Sequence, residues 1–145
     1  MRVLLVEEDL QLGESLLRAL KDADCSVDWV RDGRAGSMAI HTAYYAVALI
    51  DLGPSSAGGI DLLRTLRAAG NDVPVLILTP LYDLETRVHS FDVGADDCVL
   101  KSIEVRELLA RIRAVLRRKA GTRPRVSVAR RSASISTSAF CPVTG

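Results

Sequence analysis

The sequence predicts one α/β domain, a parallel sheet with helices on both faces. Three observations predict it. Short apolar runs of strand length recur five times, segments of helical periodicity separate them, and residues capable of chemistry stand at the same end of several runs. A chain of 145 residues with 48% apolar content can bury one such core.

The elements follow in order. Val3 to Val6 is the first strand, and Leu12, Leu16 and Leu20 then share one helical face. Ser26 to Val30 is the second strand. The segment Gly33 to Ala43 reads as a weaker helix, because its apolar positions Ala35, Met38, Ala39 and Thr42 have the spacing but little bulk. Ala46 to Ile50 forms the third strand, followed by a helix with Ile60, Leu63 and Leu66 on one side. Val73 to Leu78 is the fourth. Asp83 is suited to N-cap a helix running to about Val93, with Gly94 closing it. Cys98 to Leu100 is the fifth strand, and Leu108, Leu109, Ile112, Val115 and Leu116 line the last helix. Right-handed crossovers connect such strands.

After Arg118 the periodicity stops. Residues 121–145 form a basic, Ser- and Thr-rich tail expected to be disordered, leaving a folded domain at 1–120. The chain has 19 basic and 18 acidic residues, but the tail holds four Arg and no acid, so the domain itself is net acidic and unlike a nucleic-acid surface. Cys25, Cys98 and Cys141 are odd in number and widely spaced, which fits free thiols and neither a disulfide framework nor a zinc site. No run is long enough to span a bilayer and Met1 leads straight into a strand, so no membrane partner and a cytoplasmic location are expected. No internal repeat appears.

The strand ends carry the chemistry. Glu7, Glu8 and Asp9 follow the first strand, Asp51 ends the third, Thr79 follows the fourth and Lys101 the fifth. In an open α/β sheet these all fall at the carboxyl edge, where ligands bind. Carboxylates, a hydroxyl and an ammonium gathered there suit a divalent cation and a phosphoryl group. A nucleotide-binding enzyme is disfavoured, because acids stand where a Gly-rich phosphate loop would be.

The segments RVLLVEED, LIDLG around Asp51, VPVLILT ending at Thr79, GADD before the fifth strand, Lys101, and ELLARIRAVLRR together resemble the receiver domain of two-component response regulators, in the OmpR/PhoB-like winged-helix subfamily. The likeness covers residues 1–120. It implies a flavodoxin-like (βα)5 three-layer sandwich of sheet order 2-1-3-4-5. It implies, too, a phosphoprotein without classical enzyme activity, in which a sensor histidine kinase phosphorylates Asp51. Glu7, Glu8 and Asp51 would then bind Mg2+, with Thr79 and Lys101 contacting the phosphoryl oxygens.

Measured against that family, several positions depart. Glu8 stands where Asp is usual, one methylene longer, so it has to be refitted or to ligate Mg2+ through water. Pro54, Ser55 and Gly58 alter the loop after Asp51, and Pro80 follows Thr79, removing a backbone donor. Cys98 replaces the aromatic switch residue, and Ser102 replaces the proline after Lys101. A phosphorylation-independent pseudo-receiver acting by protein contact is therefore the alternative. The family's dimerisation face is kept: Arg87, Asp96, Asp97, Glu107, Arg111 and Arg118 surround Phe91 and Leu109. The resemblance implies a homodimer through the fourth helix, fifth strand and fifth helix, with pairs Arg87–Glu107, Asp97–Arg111 and Asp96–Arg118. The tail is too short for a winged helix, so DNA binding and transcription regulation would need a longer form.

Overall fold

A computed structural model describes residues 1–52, 57–81 and 83–122. The chain alternates β1 (Arg2–Val6), α1 (Leu10–Asp22), β2 (Ser26–Val30), α2 (Gly33–Thr42), β3 (Val47–Asp51), α3 (Ala57–Ala68), β4 (Val75–Thr79), α4 (Leu84–Val93), β5 (Asp97–Leu100) and α5 (Val105–Thr122). All neighbouring strands pair in parallel, in the order β2-β1-β3-β4-β5, as the resemblance implied.

Side chains alternate across each strand, so each strand feeds two cores. Leu4, Val6, Ala48, Ile50, Val75, Ile77 and Cys98 pack with Ile60, Leu63 and Leu66 of α3. On the other face Val3, Leu5, Val47, Leu49, Leu76, Leu78 and Val99 meet Leu16 and Leu20 of α1 and Leu108, Ile112 and Val115 of α5. Each buried Val, Leu or Ile among them contributes about 1.5–3 kcal/mol. β3 and β4 are buried along their whole length because both faces are covered.

The helix ends are set locally. The carboxylates of Asp9, Asp32 and Asp83 accept N–H donors from the first turns of α1, α2 and α4. Gly94 ends α4 at φ 125°, where a side chain would be strained.

Several boundaries move. Asp51 and Thr79 are the last ladder residues of their strands, paired with Leu78 and Leu100, and do not lie beyond them. β4 starts at Val75 because Pro74 has no N–H and the Val73 N–H bonds to the Asn71 side chain at 3.0 Å. α5 continues through Gly121 to Thr122, so two residues assigned to the tail are helical. The face of α2 is also different. Met38 and Thr42 are exposed, and the helix packs through Gly36, Ala39, Ile40 and Ala43. A Cβ on Gly36 would sit 2.9 Å from Leu62 Cδ2 and 3.1 Å from Val6 Cγ2. Close approach at a glycine sets that face, which a count of apolar bulk misses.

Cys25 and Cys98 are free and buried. No described helix is long and apolar enough to cross a membrane. The altered loop at Pro54 and Ser55, and the tail from residue 123 with Cys141, lie outside the described residues.

Candidate functional site

Three of the strand-end groups meet in one buried cluster. Glu7 leaves β1 with its N–H donating to Val30 O at 3.0 Å, which turns a wholly buried carboxylate inward. Asp51, at the end of β3, is buried as well. Lys101 follows β5, held by its N–H to Thr79 O at 2.9 Å. Its ammonium lies between the two acids, donating to Glu7 Oε2 at 3.2 Å and pairing with Asp51 Oδ1.

Two acids and one cation leave the cluster negative in a poorly solvated place. Burial, then the hydrogen bond with Asp51, pushes the Glu7 carboxyl up to about 7. Burial alone would lower the Lys101 pKa, but Asp51 and Glu7 outweigh it and the ammonium is held more tightly. Glu7 Oε1 has no hydrogen-bond partner although it is fully enclosed, whereas Oε2 accepts from Asp9 N–H at 3.1 Å. Gly59 at the start of α3 runs against the strand end, where a Cβ would lie 2.6 Å from Asp51 O.

The other expected participants stand apart. Glu8 is exposed and does not join the buried pair, and Asp9 is spent on capping α1. Among the described residues no three acidic, His or Cys side chains converge as a metal site. Two buried carboxylates with an orphaned oxygen nonetheless fit Mg2+, which commonly uses one or two protein carboxylates and keeps several waters. Thr79 is buried, but its hydroxyl donates to Leu81 O at 2.8 Å and accepts from Leu81 N–H at 3.2 Å, closing a small turn over Pro80. Cys98 is buried beside Ser90, and burial raises its thiol pKa. A cavity of about 180 Å3 borders it, edged by Ser102, Ile103, Glu107 and Arg111.

On the α4–β5–α5 face the charges engage inside the chain. Arg111 bonds Asp97 at 3.3 Å and Glu107 at 3.1 Å. The Asp96 carboxylate takes Arg67 at 3.2 Å, Lys119 at 3.4 Å and Val75 N–H at 2.9 Å, while Arg118 donates to the Asp96 carbonyl. Of the three expected pairs, Asp97–Arg111 thus already exists within one copy. Arg87 is half-buried on α4 and Leu109 leans on the core, whereas Phe91 stays exposed. Sequence reasoning missed Arg67, whose Nε also donates to Gly94 O at 3.0 Å. Nothing about an arginine on α3 announces partners in the turn that leads into β5.

A family model described as the response regulator receiver domain matches residues 3–113. The response regulator protein PmrA of Pseudomonas aeruginosa is 40% identical over 121 residues, covering 83% of this chain and 55% of that one. The transcriptional regulatory protein QseB of Escherichia coli O157:H7 is 40% identical over 121 residues, with the same coverage of 83% and 55%. This chain thus spans about half the length of the curated relatives it matches. Among solved structures, the BeF3-activated N-terminal receiver domain of Klebsiella pneumoniae RstA aligns with TM-score 0.74 and 28% identity, over 81% of this chain and 99% of that one. The receiver domain of the Francisella response regulator 1452 aligns with TM-score 0.75 and 26% identity, over 81% and 98%.

Proposed function

The chain belongs to the response regulator receiver domain family, and on that premise we propose that Asp51 accepts a phosphoryl group from a sensor histidine kinase. The observation that carries this reading is the buried Glu7–Lys101–Asp51 cluster at the carboxyl edge of the sheet. An Asp51 carboxylate oxygen forms the bond to phosphorus while the bond from phosphorus to the donor's imidazole nitrogen breaks, the nitrogen keeping the electron pair. Lys101 would pair with a phosphoryl oxygen without leaving the site. Glu7 and Asp51 would hold Mg2+, which supplies positive charge against the transferring oxygens. For Thr79 to bond a phosphoryl oxygen, its hydroxyl gives up Leu81 O, which couples modification to the loop after β4.

The test is intact mass after incubation with acetyl phosphate and Mg2+. Wild type should gain one phosphoryl group and Asp51→Asn none; labelling that persists in the variant overturns the assignment.

The reading extends to self-association through α4–β5–α5. Leu84, Val88 and Phe91 form an exposed apolar stripe at helical spacing on α4, beside charges that set register. Sedimentation should show a weak, salt-sensitive dimer that Phe91→Glu abolishes. Control of transcription through DNA would need an output domain joined to the receiver.

A further inference from the structure

The acid pair after β1 is gripped from the neighbouring strand by two side chains outside the phosphoryl chemistry. Trp29, the single tryptophan of the chain, lies in β2 and donates its indole Nε1–H to the Glu7 carbonyl at 2.9 Å. One residue past β2, Arg31 donates from Nε at 3.1 Å and Nη2 at 2.8 Å to the Glu8 carbonyl. The strand register ends at Val6 against Val30, so neither bond belongs to the ladder. Side chains have taken over where the sheet stops.

The indole is seated by an absence. Its ring occupies the place a side chain on Gly13 would fill, since a Cβ there would run into the Cζ2 and Cε2 atoms. Gly13 is buried one turn into α1, within a helix where glycine costs about 0.5–1 kcal/mol relative to alanine. A buried indole N–H needs an acceptor in any case, and Trp29 alone could be read as core packing. Arg31 removes that reading, because an exposed guanidinium can be served by water and has no such need, yet it spends two donors on the adjoining carbonyl.

We infer that Trp29 and Arg31 are positioning residues that hold the Glu7–Glu8 main chain in the geometry the Asp51 site uses, with Gly13 the notch that admits the indole. This rests on the proposed phosphoryl site and adds to it the parts that aim its acids. The Glu7 side chain is held by Lys101, the Asp9 N–H and its neighbour Asp51, so the main chain that carries it needs its own anchor. Groups that orient ligands in this way typically cost about 10–100-fold in metal affinity when lost.

The experiment uses the full chain and two readouts, one free of metal. Trp29→Phe and Arg31→Ala should each speed hydrogen exchange at the Glu7 and Asp9 amides in metal-free buffer, leaving the exchange of β3 and β4 unchanged. In calorimetric titration with Mg2+ each should weaken binding by about tenfold. Arg31→Lys, which keeps a donor, should recover most of the loss, and Gly13→Ala should reproduce Trp29→Phe. If Trp29→Phe and Arg31→Ala exchange and bind Mg2+ as wild type does, the inference is overturned. If wild type itself shows no Mg2+ affinity, the cation part of the phosphoryl reading fails, and the metal-free exchange alone decides whether the two side chains hold the acid pair.

Discussion

The same motif, one cation between two carboxylates, is built twice among the described residues. At the carboxyl edge Lys101 sits between Glu7 and Asp51 with 19% of its side chain exposed. On the α4–β5–α5 face Arg111 sits between Glu107 and Asp97 with 40% exposed. The arrangement is the same, but the surroundings are not. In the enclosed cluster the two carboxylates have lost almost all their water, so each depends on its partners and the Glu7 carboxyl rises to about 7. On the face Arg111 and Glu107 stand in water, which with salt screens their pair, and Asp97 is the more sheltered end. An ion pair's geometry therefore says little about its energy until burial is known.

Removing the central cation from each cluster tests that contrast most strongly. Lys101→Met should destabilise the domain by about 3–5 kcal/mol in urea denaturation, because two carboxylates remain together without a counter-charge. The loss should depend on pH. Glu7 titrates at about 7 in the folded chain against an ordinary 4.5, so the native state binds a proton that the unfolded chain releases. Its contribution is fully present below about 4.5 and lost as pH rises through about 7. Metal-free Lys101→Met should accordingly be weaker at about pH 8 than at about pH 5. A pH-independent loss would mean that the cluster relaxes open to water.

An intermediate case lies at the opposite edge of the sheet. The Tyr45 hydroxyl donates to Asp28 Oδ2 at 2.6 Å, and Arg2 pairs with the same oxygen at 2.8 Å while lying 5.3 Å from the Tyr45 ring centroid. Tyr45→Phe should cost about 1 kcal/mol at neutral pH by thermal melting. The Tyr45 hydroxyl, then Arg2, lowers the Asp28 pKa below its ordinary 3.8, so this contribution is present above that value and lost as pH falls through the folded one. Variant and wild type should converge towards about pH 2; a gap that persists there would assign the effect to packing.

The smallest effect belongs to the exposed motif. Arg111→Ala should change monomer stability by under about 1 kcal/mol, and the change should vanish in about 0.5 M salt. A larger, salt-resistant loss would erase the contrast between the two clusters.

Much of the site was legible in the chain before any coordinates. Asp51, Thr79 and Lys101 each terminate an apolar run, and parallel connection delivers all such ends to one edge, so their convergence follows from topology. The caps at Asp83 and Gly94 were legible for a similar reason, since local backbone chemistry decides them. Glu8 was not. Being next to Glu7, it points to the other side of the chain as β1 ends, and one neighbour is buried while the other is exposed. Nor could spacing tell that the Thr79 hydroxyl closes on Leu81, because a free hydroxyl and a turned-in one look alike in sequence.

The amino-acid order by itself determined the five strand–helix units and which residues reach the functional edge. Those features depend on period and chain connectivity, both local. Tertiary structure alone decided that Gly36 and not Met38 faces the core, that Arg67 belongs to Asp96, and that Trp29 and Arg31 grip the acid pair. Each of these joins residues far apart in sequence through close approach, and close approach depends on which side chains are small enough to let two elements meet.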